Sequence, residues 1–260
     1  MRVAGKVCLV TGGASGIGAA LSRRFAAEGA EAVVVVDRDG DGSAAVAGEV
    51  GGLGLTCDVG SEPGVRAAVG VALDRYGRID LLCNNAGVCN DHPDFLDGPL
   101  DAWSQQWSVN VLGHVHMARA VLPGMLERGE GHLLQVASIA GILSSPGAPA
   151  YAATKHAAVG LAEWLSITYG GQGIHVYLLC PLGVDTPMLA ATPPELREAS
   201  GPPSTPEQVA QNVIDAFAEE RFLTYSDPNA ARYVARRNDD LERWLAGMRR
   251  FRPTAPPSRA

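Results

Sequence analysis

The sequence predicts an α/β protein: a doubly wound parallel sheet of the Rossmann-like type, with helices on both faces, in a single domain. Short apolar runs rich in β-branched residues are typical of buried parallel strands, and segments with helical spacing of apolar residues lie between them. A glycine-rich turn connects the first strand to the first helix. The length of 260 residues and the 47% hydrophobic content suit one large domain better than two small ones.

Strands and helices are predicted to alternate along the chain. The first apolar run, 6–10, ends at the glycine-rich turn, and apolar residues then recur at helical spacing from Ile17 until Gly29 supplies a stop. The long helix 100–127 is expected to be irregular near Asn110. The further predicted strands are 32–36, 54–58, 80–84, 131–137, 174–180 and 222–225. The further predicted helices are 63–76, 151–169, a helix that opens at Thr205 and Pro206, and 229–251.

Residues 1–252 are expected to form the one domain, because no internal repeat or linker divides them. Residues 182–204 carry several prolines and no clear period, which predicts a long loop that contacts substrate. Residues 226–252 are expected to add a helical extension, and 253–260 to form a disordered tail. The arginines of the extension leave two interpretations open, a solvated or subunit-contact surface and a clamp for a substrate carboxylate. They are Arg232, Arg236, Arg237, Arg243, Arg249 and Arg250.

Composition and charge limit the classes of function. The formal net charge of -7 argues against a general nucleic-acid binder. No apolar run approaches the ~20 residues that span a bilayer, and the first strand begins too close to residue 1 to leave room for a signal peptide. We therefore expect a soluble, cytoplasmic protein with no membrane partner. Five cysteines without C-x-x-C spacing, and two histidines, His114 and His116, that do not share a helix face, predict neither a disulfide framework nor a metal site.

The segment 11–18, Thr-Gly-Gly-Ala-Ser-Gly-Ile-Gly, lies where a phosphate-binding turn belongs, between the first strand and the first helix. Glycines let the backbone approach a pyrophosphate, and the helix N-terminus offers free N–H groups and a favourable dipole. The spacing is G-x-x-x-G-x-G instead of the common G-x-G-x-x-G, and a tight turn also needs glycine for steric reasons alone. The position within a strand–helix–strand unit favours nucleotide binding. The predicted contacts are Gly12, Ser15, Gly16, Ile17 and Gly18.

Asp37 ends the second predicted strand, about twenty residues past the glycine-rich turn. A carboxylate at this place binds the hydroxyls of the adenosine ribose and repels a 2′-phosphate. Arg38 beside it could instead recruit that phosphate. Asp37 outweighs Arg38 in our interpretation, so NAD is the expected cofactor and NADP the less favoured one.

Tyr151 and Lys155 stand four residues apart on a predicted helix, so both side chains lie on one face. A phenol with a pKa near 10 is a poor proton donor or acceptor at neutral pH, and a neighbouring ammonium is expected to lower that pKa. The pair could therefore act as an acid/base device. The same spacing also occurs on ordinary, partly exposed helix faces, so the pair alone does not predict catalysis.

Several motifs occur together and in order. They are the turn 11–18, Asp58-Val59 after the third strand, Asn84-Asn85-Ala86-Gly87, Asn110, Ser138, and Tyr151 with Lys155. With these motifs the chain resembles the short-chain dehydrogenase/reductase family in its compact, single-domain form. The resemblance covers nearly the whole chain through about residue 225.

The resemblance implies further contacts with the cofactor. Asp58 and Val59 would contact the adenine. After the sixth strand the family often has Pro-Gly, whereas this chain has an inserted Leu182. The contacts implied around the rest of the cofactor are Asn85, Ala86, Gly87, Pro181, Gly183, Val184 and Thr186.

The resemblance also implies catalytic roles for four residues. Ser138 would hydrogen-bond the substrate oxygen, and Tyr151 would act as the acid/base. Lys155 would hold the nicotinamide ribose and lower the pKa of the tyrosine. Asn110 would anchor a water that connects Lys155 to solvent. Tyr151 and Lys155 thus count among both the catalytic and the cofactor-binding residues.

These patterns predict an NAD-dependent oxidoreductase that interconverts a secondary alcohol and a ketone, acting on a largely apolar small molecule. The alternative is a redox sensor or scaffold that binds NAD without chemistry, and an epimerase or dehydratase of the larger related kind is a third possibility. A homotetramer or homodimer is also expected. The helices 100–127 and 151–169 carry outward-facing apolar residues, such as Trp164, that a partner subunit would cover.

Overall fold

The computed structural model describes residues 1–91, 95–96, 98–192, 197 and 201–250. Its centre is a sheet of seven parallel strands. The strands are β1 (Val7–Thr11), β2 (Ala32–Asp37), β3 (Leu53–Thr56), β4 (Leu81–Asn84), β5 (Gly131–Val136), β6 (Ile174–Cys180) and β7 (Leu223–Tyr225). Their order across the sheet is β3-β2-β1-β4-β5-β6-β7. The expected tail 253–260 lies outside the described residues, as does part of the loop 182–204.

Helices cover both faces of this sheet, as predicted. They are α1 (Gly16–Ala27), α2 (Gly40–Glu49), α3 (Glu62–Tyr76), α4 (Leu100–Trp107), α5 (Gly113–Arg128), α6 (Ala140–Leu143), α7 (Pro149–Tyr169), α8 (Pro187–Ala190), α9 (Pro206–Ala218), α10 (Pro228–Asp239) and α11 (Leu241–Arg250). No helix in the described part of the chain is both long and apolar enough to cross a bilayer.

The hydrophobic core has one layer on each side of the sheet. On one side α1, α2 and α9 pack on the strands, with Phe25 and Phe217 stacked at 6.2 Å between ring centroids. On the other side α3, α5 and α7 contribute residues such as Val65, Met117 and Leu165. The central strands β1 and β4 are buried along their whole length, which explains why their sequences are apolar up to Thr11 and Asn84.

Two of the longer helices differ from the prediction, and the short helices α6 and α8 were not predicted either. Residues 40–49 form α2 although no helix was predicted there, because three glycines weaken the helical pattern. Asp39 caps this helix by accepting a hydrogen bond from the Gly42 N–H at 3.0 Å. The single helix predicted at 229–251 is instead two helices, α10 and α11. Asp240 separates them, since its side chain accepts from the Arg243 N–H at 2.9 Å and so caps a new helix.

The irregularity expected near Asn110 is confirmed. Residues Ser108–Leu112 form a π-helical segment between α4 and α5. Such segments widen the helix by one residue per turn and are frequent at functional sites. The fully buried Asn110 lies within this segment.

The strand order creates a crevice at one edge of the sheet. From β1 the chain moves outward through β2 and β3, and from β4 it moves outward in the opposite direction. The carboxyl ends of β1 and β4 therefore border a gap that no connection covers, which is where open α/β sheets bind ligands.

A cluster of polar side chains is buried between β4, β5 and α5. Asn84 Nδ2 donates to the Gln135 Oε1 at 3.2 Å and to the His114 carbonyl at 3.1 Å. His114 Nδ1 lies 3.0 Å from the same Gln135 oxygen. Burial, and then the nearby Lys155 ammonium, lower the pKa of His114 to about 3. The imidazole is consequently neutral in the folded chain at ordinary pH.

We expect the free energy of unfolding to fall as the pH is lowered from 7 to 5. The pKa of His114 is lower in the folded chain than in the unfolded one, so the unfolded state takes up the proton first. The stabilisation from neutral His114 is fully present above about pH 6.5. It falls as the pH is lowered, and the free energy of unfolding loses about 2 kcal/mol from this residue by pH 5. Urea unfolding at pH 7, 6 and 5 measures the slope.

His114→Gln should flatten that slope, whereas His156→Gln, at an exposed position, should leave it unchanged. The slope should not vanish, because burial also lowers the pKa of His132 to about 4. A slope that is equal in the wild type and in His114→Gln would contradict this account.

Candidate active site

A threonine and an asparagine join the carboxyl ends of β1 and β4. The Thr11 hydroxyl accepts from the N–H groups of Asn85 at 3.0 Å and Ala86 at 3.1 Å. In return, Asn85 Nδ2 donates to the carbonyls of Thr11 at 2.9 Å and Gly12 at 3.1 Å. These bonds fix the glycine-rich turn against the loop Asn85–Gly87 and so hold the walls of the crevice at a constant separation.

The glycine-rich turn leads directly into the N-terminus of α1. A Cβ atom built on Gly18 would overlap the Gly12 carbonyl oxygen, so only glycine permits this tight passage. Ser15 stands at the cap position of α1, and Gly16, Ile17 and Gly18 form its first turn. The backbone N–H groups of a first helical turn lack intrahelical acceptors and are suited to bind a phosphate.

Asp37 turns its carboxylate toward the glycine-rich turn. Its Oδ2 accepts from the Ala14 N–H at 3.0 Å, and its Oδ1 accepts from the Asp39 N–H at 3.0 Å. The Asp37 carboxylate is therefore held beside the crevice by two backbone N–H groups, whereas Arg38 is exposed.

Two further predicted adenine contacts follow β3. Asp58 is exposed, and its Oδ1 accepts from the Gly60 N–H at 2.9 Å. Val59 is buried against Gly113, which has no space for a Cβ atom at this contact. The Val59 carbonyl lies 3.1 Å from His116 Nδ1, which gives that histidine a structural partner.

The loop after β6 closes the other end of the crevice. The Pro181 carbonyl accepts from the Ile139 N–H at 2.8 Å, and Val184 is buried. Thr186 caps α8 and lies so close to the glycine-rich turn that a Cβ on Gly16 would be 3.0 Å from its methyl carbon. The glycine-rich turn and the loop after β6, the two ends of the predicted cofactor site, therefore lie against each other at the carboxyl ends of the strands. Within the loop, the Gly183 carbonyl accepts from the Ser204 N–H at 2.9 Å.

Lys155 is almost fully buried in α7. Its Nζ donates to the Val136 carbonyl at 3.0 Å and lies 5.7 Å from the centre of the Tyr151 ring. A Cβ atom on Gly87 would be 3.2 Å from Nζ, so the loop Asn85–Gly87 lies against the ammonium. Burial lowers the pKa of Lys155 to about 8.

Tyr151 lies one turn before Lys155 and beside Ser138. Burial raises the pKa of the Tyr151 phenol, and a hydrogen bond with the Ser138 side chain acts in the opposite direction. The lowering expected from Lys155 is not found in the free chain. The ammonium is bound to a backbone carbonyl, and the loss of hydration on burial is the largest influence on the pKa of the phenol.

Asn110 connects the π-helical segment to the site. Its Oδ1 accepts from the Val88 N–H at 2.8 Å, and its Nδ2 donates to the Val88 carbonyl at 2.9 Å. Nδ2 also lies 3.0 Å from the Thr154 hydroxyl, on the helix that carries the tyrosine. The structure thus brings the four predicted catalytic residues together at one edge of the sheet.

Three residues that hold this site in place were absent from the predicted set. Thr11 and Thr154 lie inside motifs, the first at the glycine-rich turn and the second between Tyr151 and Lys155, so their positions could have suggested them. Asp91 binds the first turn of α7 but lies in a loop without a sequence signal. Within the described residues, no group of three His, Cys, Asp or Glu side chains is arranged to hold a metal ion.

Comparison with known proteins places this geometry in a family. The family model of short chain dehydrogenases matches residues 6–197. A curated relative, the 1-deoxy-11-beta-hydroxypentalenate dehydrogenase of Streptomyces exfoliatus, is 39% identical over an alignment of 255 residues that covers 95% of this chain and 92% of the relative.

Solved structures agree. A short chain dehydrogenase/reductase from Burkholderia phymatum, in complex with NAD, superimposes with a TM-score of 0.84 at 28% identity over 100% of both chains. The 3-ketoacyl-(acyl-carrier-protein) reductase from Brucella melitensis, complexed with NADH, gives 0.78 at 33% identity over 88% of this chain and 93% of that one. With its motifs, its sheet and these relatives in agreement, the chain belongs to the short-chain dehydrogenase/reductase family of oxidoreductases.

Proposed function

We propose that the chain is an NAD-dependent oxidoreductase that interconverts a secondary alcohol and a ketone, with Tyr151 as the acid/base. The observation that carries this proposal is the meeting of Ser138, Tyr151 and Lys155 beside the crevice between β1 and β4. A protein that only binds NAD has no need of all three side chains at that place. Relatives named as dehydrogenases support the reaction class.

The residues of the crevice fit a dinucleotide. The first turn of α1 offers N–H groups to a pyrophosphate, and the close passage at Gly18 leaves the backbone free to approach it. Asp37 is held at the turn, where ribose hydroxyls can bind its oxygens. When bound, NAD supplies the acceptor for the hydride that leaves the carbinol carbon.

In the oxidation direction the Tyr151 phenolate removes the proton of the substrate hydroxyl. The Ser138 hydroxyl donates a hydrogen bond to the same substrate oxygen and stabilises the charge that develops on it. The Lys155 ammonium would hold the nicotinamide ribose and would favour the phenolate once the site is filled. In the reduction direction the phenol returns the proton to the oxygen.

Asn110 is proposed to keep a proton path open behind the catalytic pair. A Cβ atom on Gly87 would lie 3.2 Å from Lys155 Nζ and 3.4 Å from Asn110 Oδ1, so both polar atoms lie beside the Gly87 backbone. A water bound near them would connect the ammonium to solvent, with the Asn110 side chain fixed by its bonds to Val88.

The substrate is proposed to be a largely apolar small molecule. Directly after Ser138, the side chains of Ile139 and Leu143 form an apolar cluster with Ala230 of α10. Leu182, at the start of the loop 182–204, and Trp244, in the extension 226–252, pack on that cluster. Both segments would therefore border the substrate. The name of the hydroxypentalenate dehydrogenase relative indicates a hydroxy carboxylate, for which the arginines of the extension could supply a counter-charge.

Replacement of Tyr151 by Phe should lower kcat by at least about a hundredfold, because it removes only the oxygen that transfers the proton. The affinity for NAD should stay within about twofold. The assay is the absorbance of reduced cofactor with a panel of secondary alcohols. Tyr76→Phe, at the end of α3, is the matched control and should keep wild-type turnover. Substantial activity in Tyr151→Phe would contradict the assignment of Tyr151 as the acid/base.

NAD should be preferred to NADP by at least about tenfold in kcat/KM, a difference of roughly 1.4 kcal/mol. The Asp37 carboxylate favours free ribose hydroxyls and repels a 2′-phosphate, so Asp37→Ala should reduce the preference. Arg38→Ala should leave the kcat/KM for NAD unchanged. Equal use of both cofactors by the wild type would mean that Arg38 governs the choice.

A homotetramer, or at least a homodimer, is proposed from the outer faces of α4 and α7. Trp164 is 54% exposed and Ile167 83% exposed, and Trp107 and Leu112 add to the apolar surface on α4 and the π-helical segment. Single chains seldom leave such a surface uncovered, and a two-fold axis would place the same patch of both subunits in contact.

Light scattering coupled to gel filtration should therefore show a multiple of the 27.1 kDa chain mass. Trp164→Glu should reduce the mass of the assembly, since it places a charge in the contact. Val71→Glu, at an exposed position of α3, should leave it unchanged. A stable, fully active species of single-chain mass would refute the assembly.

A further inference from the structure

The first turn of α7 is held by a side chain from the loop after β4. α7 begins at Pro149, which has no N–H group, and the preceding Ala148 has no polar side chain to cap it. The Asp91 carboxylate takes this role from a distance in the sequence. Its Oδ1 accepts from the Ala150 N–H at 2.7 Å, and its Oδ2 accepts from the Tyr151 N–H at 3.1 Å.

A glutamine from α4 orients this carboxylate. Gln106 is fully buried, and its Nε2 donates to Asp91 Oδ2 at 3.1 Å. Its Oε1 has no hydrogen-bond partner in the part of the chain that the structure describes. A buried amide is unfavourable unless its groups form hydrogen bonds. The bond from Nε2 to Asp91 therefore explains why a glutamine occupies the buried position 106.

We propose that the Asp91 carboxylate, oriented by Gln106, is a positioning residue that holds the Tyr151 phenol in place for proton transfer. The inference depends on the proposed function, because it concerns the same tyrosine. Asp91 binds the backbone N–H of Tyr151 itself, so a shift of this turn moves the phenol relative to Ser138. Displacement of a reacting group by about 1 Å can lower a rate by about a hundredfold.

The remainder of α7 does not depend on this bond. Lys155 is tied to the Val136 carbonyl, and Ala158 and Ala162 are packed in the core. In the first turn Ala150 and Ala152 are also buried, and Asp91 adds the only side-chain hydrogen bonds to its N–H groups among the described residues. This is the turn that carries the proposed acid/base.

The charge of Asp91 also acts on Tyr151. The titratable groups that face the phenol are Lys155 on α7, Asp91 and Cys89 after β4, and Cys180 at the end of β6. Burial raises the pKa of Cys89 to about 11 and that of Cys180 to about 12, so both thiols are uncharged near neutral pH. The Asp91 carboxylate, in contrast, contributes to the raised pKa of the phenol, and its removal should lower that pKa.

The test compares Asp91→Asn with Asp101→Asn. Asp91→Asn keeps the shape but loses the charge and an acceptor, whereas Asp101→Asn removes one exposed carboxylate from the first turn of α4. In Asp91→Asn, kcat for alcohol oxidation should fall at least about tenfold while KM for NAD stays within about twofold. The pH at which kcat rises should move down by at least about 0.3 unit. Asp101→Asn should change neither quantity.

Gln106→Leu separates position from charge. It removes the donor that orients Asp91 but keeps the carboxylate, so kcat should fall about three- to fivefold with the pH profile unmoved. Asp91→Ser, with a neutral cap that can still accept one backbone N–H, replaces Asp91→Asn if melting curves show that the latter does not fold.

The outcomes distinguish this inference from the proposed function. Activity in Tyr151→Phe overturns the proposed function. An inactive Tyr151→Phe, together with an Asp91 variant whose kcat is within twofold of wild type and whose pH profile is unmoved, overturns the positioning role alone.

Discussion

A buried ammonium group constrains the geometry of the whole site. Lys155 is almost fully buried, and an unpaired charge there would strongly destabilise the fold. Its bond to the Val136 carbonyl at the end of β5 therefore ties α7 to the carboxyl edge of the sheet. Tyr151, one turn earlier, then lies beside Ser138, and Gly87 brings the crevice between β1 and β4 against the same ammonium. The proposed proton transfer depends on this attachment together with the Asp91 bonds at the first turn of α7.

The fold could be predicted from the sequence because local patterns and the global arrangement agree. Buried parallel strands appear as unbroken apolar runs, and the run 174–180 has the same bounds as β6. The apolar periodicity was too weak to predict α2, because its glycines obscure the helical pattern. It also did not reveal the break at Asp240, where a side-chain cap starts a new helix. Both depend on side-chain hydrogen bonds to the backbone, which periodicity does not report.

The residues of the proposed site could be predicted where they belong to sequence motifs. Features that depend on contacts between distant parts of the chain could not be predicted. The spacing of Tyr151 and Lys155 indicates that they share a face, but the direction of the phenol pKa depends on burial, which spacing does not describe. Asp91 acts through the fold, because the loop after β4 and the start of α7 are about sixty residues apart in the chain. Only the folded structure brings such a carboxylate to a helix terminus.

The most direct measurement is the absorbance of tyrosinate as the pH is raised, recorded with and without NAD in the wild type and in Tyr151→Phe. Burial raises the pKa of Tyr151 in the free chain, and the positive charge of the nicotinamide should lower it when NAD binds. We predict that NAD moves the ionisation of one tyrosine to lower pH by at least about one unit in the wild type, and that Tyr151→Phe lacks this shift. The same shift in both proteins, or none in either, would contradict the assignment of Tyr151 as the acid/base.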